Sequence, residues 1–172
     1  MHASLVIWAA IALAIFWGVG AYKRLMRMRE SARAAMGSFE KHTGHCLDLI
    51  DAQSQWASEH SPAAQFVQLG AELRRLLALD KSPLLDTQHM AQVGATWTAL
   101  VEYWDAWSAR PSDLAGEAIP LVLQTQWQER AVRVELARSG LNKILEKYND
   151  ALQQFPVRLI CGIMGFEPAS TL

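Results

Sequence analysis

From Ala3 to Tyr22 the chain runs through apolar and small residues without a single charge, and from Lys23 onward apolar residues recur every three or four positions instead. A helix rises about 1.5 Å per residue, and about 20 apolar residues cross the hydrocarbon core of a bilayer. The first stretch therefore predicts a membrane-spanning helix over 1–22. A core helix of a soluble domain keeps a polar face, and this run has none. A signal peptide opens on positive charge, has a shorter apolar core and closes on a small-x-small site. Here only Met1 and His2 precede the run, and its end is aromatic and basic, so the pattern predicts a retained anchor.

Beyond the anchor no segment alternates apolar and polar residues as a half-buried strand does. The first helix is expected to continue from the span to near His60. Ser61-Pro62 marks a stop and restart, with serine as cap and proline in the first turn. Leu69, Leu73, Leu76 and Leu77 form the stripe of a second helix, ended by Asp80-Lys81-Ser82-Pro83. A third runs from about Thr87 to Ala109, with Val93, Trp97, Leu100, Trp104 and Trp107 on one face. After the corner at Arg110-Pro111-Ser112-Asp113, a last helix is expected from about Leu114 to Gln154. Pro120 either kinks it or marks its start.

The seam of that helix reads Trp127, Ala131, Val134, Arg138, Leu141, Leu145, Tyr148, Leu152 and Phe155, steps of three and four like those of a coiled coil. Pro156 ends it. Residues 23–60 and 114–154 would be rods of roughly 57 and roughly 60 Å. The predicted fold is all-α: an N-terminal transmembrane helix (1–22) continuing into an antiparallel four-helix bundle (23–156), then a short apolar tail (157–172). Helix parity returns that tail to the membrane side.

Charge sets the orientation. Lys23, Arg24, Arg27, Arg29 and Arg33 follow the run, and no lysine or arginine precedes it. The basic flank stays inside, which puts the N-terminus out and the bundle in the cytoplasm, as at a bacterial inner membrane. Trp8, Trp17 and Tyr22 fall where interfacial aromatic belts are expected. The basic cluster either attracts anionic lipid or only stops translocation. Ala14 and Gly18 form a small-xxx-small pair that would let two spans approach as a homo-oligomer. The 172 residues carry a formal net charge of -1, which gives no case for nucleic acid. Cys46 and Cys161 read as thiols in a reducing compartment.

Few constellations carry chemistry. His42, His45 and Cys46 offer imidazole and thiolate on one helical stretch and would suit zinc or copper. One helix face supplies too few ligands for a closed site, so no metal and no cofactor is assigned. Arg138 on the seam needs a partner, with Glu40, Asp48, Glu102 and Asp105 as candidates. Tyr148 and Asn149 read as packing plus a local hydrogen bond. Trp104 and Trp107 read as core, and as a partner-binding patch if exposed. No Gly-rich phosphate loop, catalytic triad spacing or H-E-x-x-H occurs, so no catalytic residue is assigned. The expected function is a scaffold or adaptor with a protein partner. The alternatives are a lipid-remodelling surface, using the basic residues and the tail, and a metal-binding sensor.

One resemblance adds to this reading. Tyr148-Asn149-Asp150-Ala151-Leu152-Gln153-Gln154-Phe155-Pro156, followed by Gly165-Phe166-Glu167-Pro168, is similar to the terminal segment of the LemA family. Arg133-Val134-Glu135-Leu136-Ala137-Arg138 resembles its R-I-x-x-A-R stretch, and Tyr22 to Arg29 its segment just past the anchor. The family's second tyrosine–asparagine pair, one heptad earlier, falls here on Leu141-Asn142. The resemblance covers both ends of the chain and implies a divergent member: a single-pass anchored helical bundle, with no implied reaction.

Overall fold

The computed structural model describes residues 2–54, 61–79, 86–110, 119–154, 157–158, 162 and 165–172, with side chains over 6–52 in the first stretch. They form four helices: α1 (His2–Ser54), α2 (Pro62–Ala78), α3 (Thr87–Ser108) and α4 (Leu121–Gln153), with no strand among the described residues. The fold is all-α, and its first helix is long and apolar enough to cross a membrane by length and composition.

The punctuation follows from local chemistry. Ser61 is extended, and its hydroxyl accepts from the Ala64 N–H at 3.3 Å, with Pro62 in the first turn where its missing N–H costs nothing. Asp86 caps α3 by accepting from the Gln88 and His89 N–H groups. Pro120 marks the start of α4 rather than a kink: its carbonyl accepts from Gln124 N–H at 3.1 Å. The expected start at Leu114 lies outside the described residues, as do the end of the first helix beyond Ser54, the Asp80-Pro83 stop, Phe155 and Pro156.

α1 is one unbroken rod. Its apolar first part is bare, with Phe16 79% exposed, whereas Leu25 is buried and begins the bundle interior. From there α1 lies against α4 and α2, and α2 lies against α3. About 45 Å of α1 beyond Leu25 faces about 50 Å of α4, but α2 and α3 are only about 26 and 33 Å long. The short pair fills the half of the bundle far from the apolar run.

The core accordingly has two parts. The distal part draws on all four helices, including Phe39, Ile50, Phe66, Leu73, Trp97, Leu100, Trp104, Trp127 and Val134. Trp127 is its centre, with ring centroids 5.0 Å from Phe66, 5.1 Å from Trp104 and 6.1 Å from Trp97. The proximal part joins Leu25 and Ala32 of α1 to Leu141, Leu145, Tyr148, Ala151 and Leu152 of α4, plus Met90 and Ala169. Phe66 and Gly70 are buried in α2 although the leucine stripe did not include them. Gly70 allows a close approach there: an added Cβ would lie 3.0 Å from the Ile50 side chain, which would have to shift.

Polar contacts tie the helices together at the rim. Tyr103 donates its hydroxyl hydrogen to the Pro62 carbonyl at 2.8 Å. Arg74 bridges Asp48 and Asp51 across α1 and α2 at 3.1 and 2.7 Å, an exposed pairing that contributes about 0–1 kcal/mol. Inside, Thr43 is fully buried and its Oγ1 has no hydrogen-bond partner among the described residues. A buried hydroxyl without a partner is a cost. Thr43→Val is therefore expected to raise stability by about 1 kcal/mol, and a lower denaturation midpoint in detergent would contradict this.

Candidate functional site

The tail of the chain and the proximal halves of α1 and α4 make the site. Val157 lies against the proximal core, and Gly165 then takes a φ of +67°, a left-handed conformation that glycine adopts without strain. Beyond it, residues 166–172 run back along α4, away from the apolar run. Tyr148 donates its hydroxyl hydrogen to the Glu167 carbonyl at 3.2 Å. Asn149 uses both halves of its amide on Ala169, donating to the carbonyl at 2.7 Å and accepting from the N–H at 2.9 Å. Asn142 does the same to Leu172, at 3.0 and 2.9 Å.

Spacing explains the repeat. Seven helical residues, from 142 to 149, advance about 10.5 Å. Three extended residues, from 169 to 172, advance about 10 Å. Two asparagines one heptad apart on α4 therefore meet every third residue of an extended chain, and each satisfies a backbone N–H and C=O that no strand partner reaches. The segment takes the place that α2 and α3 are too short to fill. Its upper end closes on α3 at Gly94, where an added Cβ would stand 2.6 Å from the Leu172 backbone. Its lower end holds Phe166 edge-on to Tyr22 at 5.9 Å, with the Arg29 guanidinium 5.6 Å from the ring centre.

Several expectations are corrected here. Arg138 meets none of its four candidate partners. Its Nε donates to the Leu172 carbonyl oxygen at 3.2 Å and its Nη1 lies 3.5 Å from Glu135, while Asp48 is taken by Arg74. The hydrogen bonds of Tyr148 and Asn149 are not local but reach 19 and 20 residues ahead. Trp104 is core, in keeping with a helix face that also carries Trp97 and Leu100 into the interior, so the condition for a partner-binding patch is not met there. Trp107 is half-buried against the same cluster.

Of the family-like residues, Gly165 supplies the turn, Phe166 the lower anchor, and Pro168 is exposed between bonded neighbours. Glu135, which accepts from the Trp97 indole N–H at 2.5 Å and so joins α3 to α4, was not singled out by its pattern. Nor was Asn142 assigned a role. An i, i+7 pair of asparagines on one face was the available signal.

His42, His45 and Cys46 do not converge. The two imidazole centroids are 6.5 Å apart, His45 is exposed, and Cys46 is fully buried. Among the described residues no three of His, Cys, Asp and Glu gather as metal ligands. Burial pushes the Cys46 thiol up to about 12, against a smaller opposite pull from the Arg130 charge. A thiol raised on folding holds stability that is full below its ordinary value of 9.0 and is lost as pH climbs toward about 12. Unfolding by urea is thus expected to ease more steeply between about pH 8 and about pH 10.5 in the natural chain than in Cys46→Ala. Equal slopes would contradict the assignment.

The cations that follow the apolar run divide by position. Lys23 is exposed, Arg29 covers Phe166, and Arg24 and Arg27 line a groove of about 340 Å³ between α1 and α4. With the geometry in place, the chain defines a class: an all-helical bundle on a helix able to cross a membrane. Comparison with protein-family models, curated proteins and solved structures finds no match.

Proposed function

We propose that this chain is a single-pass membrane protein, N-terminus out, that holds a non-catalytic helical bundle in the cytoplasm as a scaffold or adaptor, in the manner of the LemA family it resembles. The observation that carries this reading is the continuity of α1: its bare apolar stretch passes without a break into the buried face beginning at Leu25. The basic residues that follow Tyr22 favour that orientation at a bacterial inner membrane. Polar groups along α4 hold the chain together: Arg138, Asn142, Tyr148 and Asn149 grip the tail, and the exposed Glu135 reaches α3.

Among the exposed residues of α4 are charged side chains and two large apolar ones near its middle. Val132 and Leu136, one turn apart, are exposed, Leu136 at 68%. They are the positions from which a protein partner would be met. The test uses the full chain in membranes. It is expected to stay in the pellet after alkaline washing, with a C-terminal reporter on the cytoplasmic side. A photoreactive residue at 136 should give one discrete protein adduct that a photoreactive residue at exposed Asp105 does not. Release by alkaline washing would overturn the anchor, and identical adducts from both positions would overturn the adaptor.

A further inference from the structure

We infer that one side of the α1–α4 seam is a binding site for a single anionic phospholipid, its phosphate held by Arg24, Arg27 and Lys147. This rests on reading α1 as a membrane span and adds a ligand to it.

Positions 13, 17, 20, 24, 27 and 31 advance by three or four and so form one continuous face of α1. Facing them are Ile144, Lys147 and Ala151 of α4 and Gln154 just past its end, spaced in the same way. Two hollows lie end to end between these faces, with Arg24 in the wall of both. The lower, about 490 Å³, is floored by apolar and small residues, Leu13, Trp17 and Gly20 among them, at the level of the bare apolar run. Nothing lies within 4 Å of a Cβ added at Gly20, so the trough is open there. The upper, about 340 Å³, has an apolar floor of Met28 and Ile144 and three cations around it: Arg24, Arg27 and Lys147.

Lys147 is the decisive member. It lies more than a hundred residues from the basic cluster in sequence, and the fold brings it to the same groove. Arg24, Arg27 and Lys147 have no carboxylate partner among the described residues, whereas Arg74, Arg75 and Arg138 are ion-paired. Cations above an apolar trough match a ligand with an anionic head and a hydrocarbon chain. Guanidinium groups bind phosphate oxygens through paired N–H donors, and an ammonium adds a point charge. A water-soluble phosphate compound would use only the upper hollow and leave the trough bare, so the site is assigned to lipid.

The test uses the full chain carrying Trp8→Phe in phosphatidylcholine vesicles, so that Trp17 in the trough reports from the membrane. A minor fraction of the lipid is brominated, either phosphatidylglycerol or phosphatidylcholine, and Trp fluorescence quenching is read. Brominated phosphatidylglycerol is expected to quench more strongly at equal content. Lys147→Gln should weaken its apparent affinity about fivefold, the loss expected for one cation at a membrane surface. Arg158→Gln, which removes an exposed charge 11 residues further on that lines neither hollow, should leave it unchanged.

Equal quenching by the two lipids, or equal loss in both variants, would overturn the site while leaving the span intact. Displacement of the phosphatidylglycerol effect by inorganic phosphate would overturn the lipid assignment in favour of a free anion. No quenching by either lipid would overturn the span and the site together.

Discussion

Replacing Trp127 by alanine is expected to cost about 4 kcal/mol, the middle of the range for removing a large buried aromatic. The side chain is 1% exposed and touches aromatic rings from both α2 and α3. No single neighbour can move in to fill the space, because Phe66, Trp97 and Trp104 are each held by other packing in the same cluster. Domains of this size are stable by about 5–15 kcal/mol, so the loss is a large part of the whole. Urea unfolding in detergent, followed by near-ultraviolet circular dichroism, measures it. Trp127→Phe should recover about half. Retention in the membrane should not change in either variant, since the apolar run touches none of these rings. A shift worth less than about 1 kcal/mol would show that the aromatic cluster is not the centre of the distal core.

Asn149→Asp is expected to free the tail without unfolding the bundle. The substitution keeps shape and volume. One carboxylate oxygen still accepts from the Ala169 N–H, but the other replaces the donor that now lies 2.7 Å from the Ala169 carbonyl. A donor–acceptor pair becomes two acceptors, at a cost of about 2–3 kcal/mol. Amide exchange at Ala169 should then speed up about a hundredfold, while the amides of the α4 core around Leu141 stay protected. Asn142→Asp should act in the same way at Leu172. Unchanged protection at Ala169 in Asn149→Asp would show that the amide pairing does not hold the segment.

The helices were legible because their signals are local and repeated. Ser61-Pro62 and Pro120 punctuate the chain through proline's own geometry, and Trp97, Leu100 and Trp104 share a face whatever their partners are. The tail was not legible in this way. An extended segment of seven residues has no 3.6-residue period, and its backbone is satisfied by side-chain amides instead of a ladder. Its presence is written in α4, as asparagines seven apart, and a pattern search tuned to apolar residues passes over them. Arg138 was read as needing a carboxylate from another helix because a guanidinium on a seam must be paired. The pairing is met by the Leu172 carbonyl oxygen and by Glu135 one turn away. Likewise Lys147 reads as a solvated residue on its own helix, and only the approach of α1 gives it Arg24 and Arg27 as neighbours.

The unbroken course of α1 has a mechanical meaning. Tyr22 and Ser54 are 32 residues apart on one helix, about 48 Å. Spanning helices tilt by about 20° on average and adjust to the thickness of the bilayer. A 20° change in the inclination of the apolar segment, transmitted along a rigid rod, would sweep the far end of α1 sideways by about 16 Å. α4 and the tail, clamped to the same rod, would swing with it. If α1 spans a bilayer as proposed, the protein would be a pointer fixed in the lipid, its reach set by the membrane around its base.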